Sequence, residues 1–170
     1  TNLDLGENQK MMSPKVEARI LQALDLSKKD KVLEIGSGSG HMTALLATLS
    51  KEVITFECRK SLFETAKLNL KEADINNAKV YYGNGLIESI KLAPYDVIVL
   101  SGATPIRQGN IEKSLSVGGR MFTIIGTGAV MEAQLAQRIS ESDWHSETLF
   151  ETSSEILEGS ELRPVFQFDQ

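Results

Sequence analysis

The sequence has only one cysteine, Cys58, among its 170 residues, which excludes an internal disulfide framework and a multi-cysteine metal site. It has no apolar run long enough to cross a bilayer, and no signal-peptide pattern opens it. Acidic residues outnumber basic ones by 23 to 18, so the chain lacks the basic footprint of a nucleic-acid-binding protein. We therefore expect a cytoplasmic protein without a metal ion, which binds neither membranes nor nucleic acid.

The remaining composition is that of an ordinary globular domain. Hydrophobic residues make up 41% of the chain and charged residues 24%, both close to the usual shares. A chain of this length can build a full central sheet covered by helices. No internal repeat, low-complexity tract or linker divides it, so we expect residues 1–170 to form a single domain.

The most informative stretch is Lys31-Val-Leu-Glu-Ile-Gly-Ser-Gly-Ser-Gly40. A short apolar run ends in three glycines at alternate positions, and a helix-compatible run, 42–49, follows at once. Glycine lets the backbone turn sharply and approach a ligand closely, and the N-terminus of the following helix offers unpaired N–H groups. The stretch therefore predicts a strand, a tight loop and a helix that together cradle a nucleotide-like ligand.

Further strands and helices alternate along the chain. Ser13-Pro14 predicts the start of a helix that ends near 27–30, whereas Thr1 to Met12 shows no periodicity and is expected to be a loop or tail. The later patterns predict strands at 52–57, 79–82, 95–100 and 120–125, helices at 61–73 and 111–115, and turns at Gly83-Asn84-Gly85 and Gly118-Gly119. These elements indicate a doubly wound, mostly parallel α/β sheet.

The end of the chain allows two interpretations. Residues 130–139 are rich in helix formers, but Met131, Ala133, Leu135 and Ile139 also fit the alternation of a strand. A turn at 140–143 leads into a second weakly alternating segment, 144–152. We favour an antiparallel hairpin at the edge of the sheet.

Four features are expected at the carboxyl ends of the predicted strands, where open α/β sheets bind ligands. They are the glycine loop, Glu57, Asn84 and the segment that begins at Ser101. Glu57 lies about twenty residues beyond the glycines, a spacing at which an acid can accept hydrogen bonds from ribose hydroxyls. Asn84 suits recognition of an adenine edge, and an Asn-Gly turn explains it almost as well.

The glycine spacing narrows the choice of nucleotide. A Gly-x-Gly-x-x-Gly/Ala fingerprint would put His41 or Thr43 at its last position, and the Gly-Lys-Ser/Thr of a P-loop is absent. The spacing Glu-x-Gly-x-Gly-x-Gly from Glu34 to Gly40 instead resembles the first motif of class I S-adenosylmethionine-dependent methyltransferases. That resemblance implies a Rossmann-like class I methyltransferase fold.

An ordered set of motifs is similar to one family within that class, the protein-L-isoaspartate O-methyltransferases. The set covers the segment before the first helix, the first motif, the turn after the third strand, the next strand and the diglycine turn. In this chain these are Gly6-Glu-Asn-Gln-Lys-Met-Met-Ser-Pro14, Val32-Leu-Glu-Ile-Gly-Ser-Gly-Ser-Gly40, Gly83-Asn-Gly85, Ala93-Pro-Tyr-Asp-Val-Ile-Val99 and Gly118-Gly-Arg-Met121.

The resemblance implies S-adenosyl-L-methionine as cofactor and an isoaspartyl-containing protein or peptide as methyl acceptor. The acceptor carboxylate is already ionised at neutral pH, so no general base is required, and His41 is expected only to line the cofactor loop. The implied cofactor-binding residues are Glu34, Gly36, Ser37, Gly38, Gly40, Glu57, Asn84, Gly85 and Ser101. The candidates for the acceptor site are Gln9, Met12 and Ser13.

The chain departs from the family pattern before its first helix. The family reads Thr-Ile-Ser-x-Pro there, and its serine contributes to the site, whereas this chain has Met12 in that position, whose thioether cannot donate a hydrogen bond. Ser13 stands one residue later and is expected to cap the helix. Two alternatives therefore stay open: a methyltransferase for RNA or a small molecule, and a non-catalytic cofactor-binding homologue.

Overall fold

The structure, a computed structural model, describes residues 4–6, 9–10 and 12–160, in which helices and strands alternate along most of the chain. The strands are β1 (Asp4–Gly6), β2 (Gln9–Lys10), β3 (Lys31–Ile35), β4 (Glu52–Glu57), β5 (Ala78–Tyr82), β6 (Tyr95–Thr104), β7 (Leu115–Ile125), β8 (Met131–Arg138) and β9 (Trp144–Thr152). The helices are α1 (Pro14–Leu24), α2 (His41–Leu49), α3 (Lys60–Glu72), α4 (Gly85–Glu88) and α5 (Gly109–Glu112), with a 3-10 turn at Ser89–Leu92.

Seven strands form one sheet in the order β5-β4-β3-β6-β7-β8-β9. The strands from β5 to β7 are parallel to their neighbours, whereas β8 runs antiparallel to both β7 and β9. The predicted α/β class, the mostly parallel sheet and the antiparallel hairpin at its end are therefore confirmed. Within the described residues, no helix is both long and apolar enough to span a membrane.

The strands predicted at 95–100 and 120–125 both extend further than their sequence patterns indicate. Strand β6 runs to Thr104, which pairs with Ile125, so Ser101 lies inside the strand and does not follow it. The predicted turn at Gly118-Gly119 is instead part of β7. A Cβ at Gly119 would lie only 2.9 Å from the Asp96 carbonyl oxygen, so glycine allows the close approach of the two strands there. Glycine thus allows a local irregularity in the pairing of β6 and β7 without ending the strand.

The opening segment also differs from its prediction as a loop or tail. Strands β1 and β2 pair antiparallel, with Asp4 opposite Lys10, although half of residues 1–12 lie outside the described part of the chain. Pairing of two or three residues depends on backbone hydrogen bonds alone, so it leaves no side-chain pattern to detect. The predicted start of α1 is correct, because the Ser13 hydroxyl accepts a hydrogen bond from the Val16 N–H at 3.3 Å.

The sheet has apolar cores on both faces, as the nearly continuous apolar run of β6 predicts. On one face Val97 and Val99 pack with Phe122 and with α1 and α2, and on the other Ile98 and Leu100 pack with residues that include those of α4 and α5. The alternation along β6 therefore carries its side chains to opposite faces. The central strands are held rigidly between these cores, and their carboxyl ends provide a firm base for a site.

Truncation of a side chain should lower the free energy of unfolding more when that side chain is buried in the core than when it is exposed. Phe122 is fully buried in β7, so we expect Phe122→Ala to lower the free energy of unfolding by about 3–5 kcal/mol, measured by urea denaturation followed by circular dichroism. Leu68, which is 55% exposed, provides a control, and Leu68→Ala should change the free energy of unfolding by less than about 0.5 kcal/mol. Equal losses in the two variants would contradict this description of the core.

Candidate functional site

A cleft of about 790 Å³ opens at the carboxyl ends of β3, β4, β5 and β6. The chain proceeds from β3 to β4 and β5 on one side and then returns to β6 on the other, so the cleft lies where the direction of winding reverses. The glycine loop, Glu57, Asn84 and Ser101, which were predicted to meet, all line it.

The glycine loop adopts backbone conformations that other residues rarely reach. Gly36 and Gly40 have φ values of 94° and 90°, and Gly38 has 53°. The Gly36 N–H donates to the Phe56 carbonyl at 2.8 Å, which ties the loop to the end of β4. Gly40 precedes α2 and faces Ala66 of α3, so it shapes the loop from outside the cleft, whereas Gly36, Ser37 and Gly38 line the cleft.

Glu34 lies beneath the loop, fully buried, and accepts hydrogen bonds from three hydroxyl groups. Thr43 and Thr55 donate to its Oε1 at 2.5 and 2.9 Å, and Ser101 donates to its Oε2 at 3.0 Å. Burial raises the pKa of Glu34 to about 7 despite these bonds. Its carboxyl group therefore connects α2, β4 and β6 to β3, and its first role is to support the loop.

Glu57, at the end of β4, holds the loop from the side of the cleft. Its Oε1 accepts from the Gly38 N–H at 3.0 Å, and its Oε2 accepts from the Arg59 N–H at 3.0 Å. Burial raises the pKa of Glu57, and these backbone donors counteract the rise. The Cys58 thiol also donates to Oε2 at 3.9 Å. Since each carboxylate oxygen can accept two hydrogen bonds, Oε1 retains capacity for a donor from a ligand.

Ser37 has a polar atom that lacks a partner. Its Oγ is buried, and it forms no hydrogen bond with any described residue, although the residue lines the cleft. An unsatisfied buried hydroxyl costs free energy that a hydrogen bond from a ligand would recover. A polar ligand bound against the loop would satisfy this hydroxyl.

Asn84 and Gly85 line the cleft and also have structural roles. The Asn84 Oδ1 accepts from the Leu86 N–H at 3.0 Å and so caps α4, which is the Asn-Gly turn considered from the sequence. A Cβ at Gly85 would lie 2.8 Å from the Cβ of Phe56 and 3.0 Å from a methyl group of Ile35. Gly85 therefore lets α4 pack closely against the sheet.

The three acceptor-site candidates have different positions. Met12 is half-buried, lines the cleft and packs against the core beside α1. Ser13 caps α1 and is not part of the lining. Gln9 contributes to the backbone of β2, and its side chain lies outside the described part of the structure.

An acid and an imidazole meet at the helices that border the cleft. Glu17 of α1 is buried, and its Oε2 lies 3.3 Å from Nε2 of His41, the first residue of α2. Burial raises the pKa of Glu17, and the charge of His41 opposes the rise. Both residues line the cleft, as expected for His41.

A segment that follows β9 closes the cleft on another side. Ile156 forms a parallel bridge with Ala103 of β6, and the Leu157 N–H donates to the Ala103 carbonyl at 2.7 Å. Leu157 covers Gly36, where a Cβ would lie 3.0 Å from its Cδ1. Beyond it, Glu158 accepts from the Arg59 Nε at 2.8 Å.

Sequence reasoning missed several of these lining residues. Glu17 had a detectable signal, because it falls three residues before Ile20 and seven before Leu24, on the otherwise apolar face of α1. Leu157 and Glu158 had none, since about 120 residues separate Leu157 from the loop that it covers. Only tertiary structure brings this segment to the site.

The family model for protein-L-isoaspartate(D-aspartate) O-methyltransferase matches residues 1–154. A protein-L-isoaspartate O-methyltransferase from Janthinobacterium sp. (strain Marseille) is 33% identical over 153 residues, which cover 87% of this chain and 52% of the relative. The chain spans about half the length of the curated relatives it matches.

Solved structures share the fold. A protein-L-isoaspartate O-methyltransferase superposes with a TM-score of 0.83 at 24% identity, over 93% of this chain and 51% of that one. A Plasmodium falciparum protein assigned to the same group, crystallised in complex with S-adenosyl-L-homocysteine, superposes with a TM-score of 0.82 at 20% identity, over 92% and 79% of the two chains. These likenesses support the class I methyltransferase fold.

Replacement of Glu34 should change how stability depends on pH. The pKa of Glu34 rises from its ordinary 4.5 to about 7 on folding, so the folded protein keeps a proton that the unfolded chain releases between these values. This contribution to stability is complete below about pH 4.5 and is lost as the pH rises through about 7. Glu34→Gln preserves an uncharged, hydrogen-bonding side chain at every pH.

We expect the free energy of unfolding of Glu34→Gln, relative to the parent, to increase by up to about 3 kcal/mol between about pH 5 and pH 8. Urea denaturation at each pH measures the difference. Glu64→Gln, at an exposed position of α3, should show no such trend. A constant difference between Glu34→Gln and the parent would show that Glu34 has the same protonation in both states.

Proposed function

Because the chain belongs to the protein-L-isoaspartate(D-aspartate) O-methyltransferase family, we propose that it transfers a methyl group from S-adenosyl-L-methionine to the free carboxylate of an isoaspartyl residue in a damaged protein or peptide. The observation that carries the proposal is the cleft at the winding reversal, where the glycine loop, Glu57 and the unpaired Ser37 hydroxyl are brought together. A generic α/β sheet would not require these three features in one place.

The residues present suit the cofactor. Oε1 of Glu57 can accept a further hydrogen bond, such as one from a ribose hydroxyl, and an additional donor there would offset the burial of this carboxylate. The Ser37 hydroxyl offers a further hydrogen bond beside the ligand. When bound, S-adenosyl-L-methionine supplies a methyl group on a positively charged sulfonium.

The acceptor side requires alignment and no proton transfer. A carboxylate has a reference pKa of about 4, so the oxygen that receives the methyl group is already ionised at neutral pH. The chain therefore needs to hold the acceptor in line and to exclude water. Met12 borders the cleft before α1, where it contributes an apolar contact and no hydrogen-bond donor.

Cofactor binding is testable by calorimetry. We expect the protein to bind S-adenosyl-L-homocysteine and not NAD. We expect Glu57→Ala to weaken the binding of S-adenosyl-L-homocysteine by about 1–3 kcal/mol, which is the scale for lost hydrogen bonds to a charged group. The variant also loses the contact to Gly38, so its fold must be compared with the parent by circular dichroism. Unchanged affinity in a folded Glu57→Ala would reject this role for Glu57.

Methyl transfer to an isoaspartyl peptide tests the acceptor. We expect transfer to an isoaspartyl peptide and none to the matched aspartyl peptide, measured with radiolabelled S-adenosyl-L-methionine. Met12→Ser restores the hydroxyl at the family's serine position, and it should increase transfer because a hydroxyl can orient the acceptor carboxylate.

The outcomes of this assay separate the alternatives. Transfer by Met12→Ser but not by the parent would identify the parent as a degenerate enzyme that retains cofactor binding. Cofactor binding without isoaspartyl transfer by either protein would reject the isoaspartyl acceptor, and RNA and small-molecule acceptors would then be the next to assay.

A further inference from the structure

Two pairs of side chains, each with one acidic and one basic member, line the cleft. In the first, Glu17 of α1 meets His41 of α2 at 3.3 Å. In the second, Arg59, which precedes α3, meets Glu158 at 2.8 Å. Neither pair has a role in the proposed reaction. Methyl transfer to a carboxylate needs no general base, and the proposed partner of the cofactor's ribose is Glu57.

The carboxylates of the cleft differ in how far protein groups satisfy them. Glu34 accepts three hydroxyl hydrogen bonds, and Glu57 accepts from the backbone N–H groups of Gly38 and Arg59 and from the Cys58 thiol. Glu158 pairs closely with a guanidinium and is half exposed to solvent. Glu17 is buried, and the ion-pair partner found for it in the described residues is the more distant imidazole of His41. Of these carboxylates, Glu17 therefore gains most from an additional cation.

The position of this pair relative to the ribose site suits the rest of the cofactor. Glu57 binds the N–H of Gly38, and His41 follows three residues later, so Glu17 and His41 lie near the continuation of the glycine loop. Met12 and Met42 line the same cleft and offer apolar contacts to an aliphatic chain.

S-adenosyl-L-methionine has an uncharged base at one end and a zwitterionic amino acid at the other. The base needs no ionic partner, whereas the amino-acid end presents an ammonium and a carboxylate close together. A buried carboxylate beside an imidazole is complementary to that arrangement, because the carboxylate accepts from the ammonium and the ring N–H donates to the carboxylate.

We propose that Glu17 and His41 together bind the amino-acid end of S-adenosyl-L-methionine, Glu17 through the ammonium and His41 through the carboxylate. The assignment rests on the proposed function, since it requires the cofactor to occupy the cleft. Neither residue takes part in the methyl transfer itself, and both act by positioning the donor.

Two ligands that share a nucleoside isolate this contact. S-adenosyl-L-homocysteine carries the amino-acid end, whereas 5′-methylthioadenosine has the same nucleoside and thioether without it. Calorimetry with the full chain should show that Glu17→Gln weakens binding of S-adenosyl-L-homocysteine by about tenfold or more, and that of 5′-methylthioadenosine by less than about twofold. The ratio of the affinity for S-adenosyl-L-homocysteine to that for 5′-methylthioadenosine should also fall in His41→Ala, but by a smaller factor than in Glu17→Gln.

Retained binding of 5′-methylthioadenosine also verifies that each variant is folded and keeps its nucleoside site. Glu158→Gln is the matched control, because it removes the carboxylate of the other pair, and it should leave the ratio of the two affinities unchanged. A ratio that changes in Glu158→Gln and stays constant in Glu17→Gln would place the amino-acid end at Arg59 and overturn the proposal.

Equal effects of Glu17→Gln on the two ligands would overturn it as well, and so would a parent protein that binds both ligands equally. In each of these cases the nucleoside still binds, so the proposed cofactor remains. A parent that binds neither ligand rejects the cofactor itself, and the assignment of Glu17 and His41 then fails with it.

Discussion

The buried carboxyl group of Glu34 is the interaction on which the rest of the site depends. It lies on the central strand β3, and three hydroxyl groups from α2, β4 and β6 donate to it. Because it sits directly beneath the glycine loop, it sets the separation of the elements that flank the loop. A polar group of this kind is costly to bury, and its three hydroxyl hydrogen bonds offset that cost.

A second constraint is the close approach of chain segments where side chains are absent. Leu157 rests against Gly36 and Gly102, where a Cβ would lie 3.0 and 3.2 Å from it, and α4 reaches the sheet at Gly85 in the same way. The glycines of the first motif thus serve two purposes, since they shape the ligand loop and also admit the segment that closes the cleft. A Cβ at Gly36 would therefore affect both, apart from the strain of its positive φ.

The sequence predicts those parts of the fold and site whose causes are local. Alternation along β6, the cap at Ser13 and the glycines at 36–40 each impose structure within a few residues, and the order of elements then implies that the strand ends meet. The contacts of Leu157 and Glu158 depend on tertiary packing between segments that are distant in the sequence, so no local sequence pattern predicts them. Glu17 is intermediate, because a charge on an apolar helix face indicates burial without revealing its partner.

In the proposed reaction, the charges that line the cleft favour the cationic methyl donor over the anionic acceptor. Burial raises the pKa of Glu34 to about 7, so the carboxyl beneath the loop is about half ionised near that pH and mostly neutral below it, and Arg59 compensates Glu158. The negative charge that remains lies at Glu57, beside the loop, and at Glu17, beside His41, and it suits a cationic donor. This negatively charged lining does not attract an anionic acceptor. In the proposed reaction, the positive charge that attracts it is the sulfonium of the bound donor. Met12, which lines the cleft, offers an apolar contact and no hydrogen-bond donor.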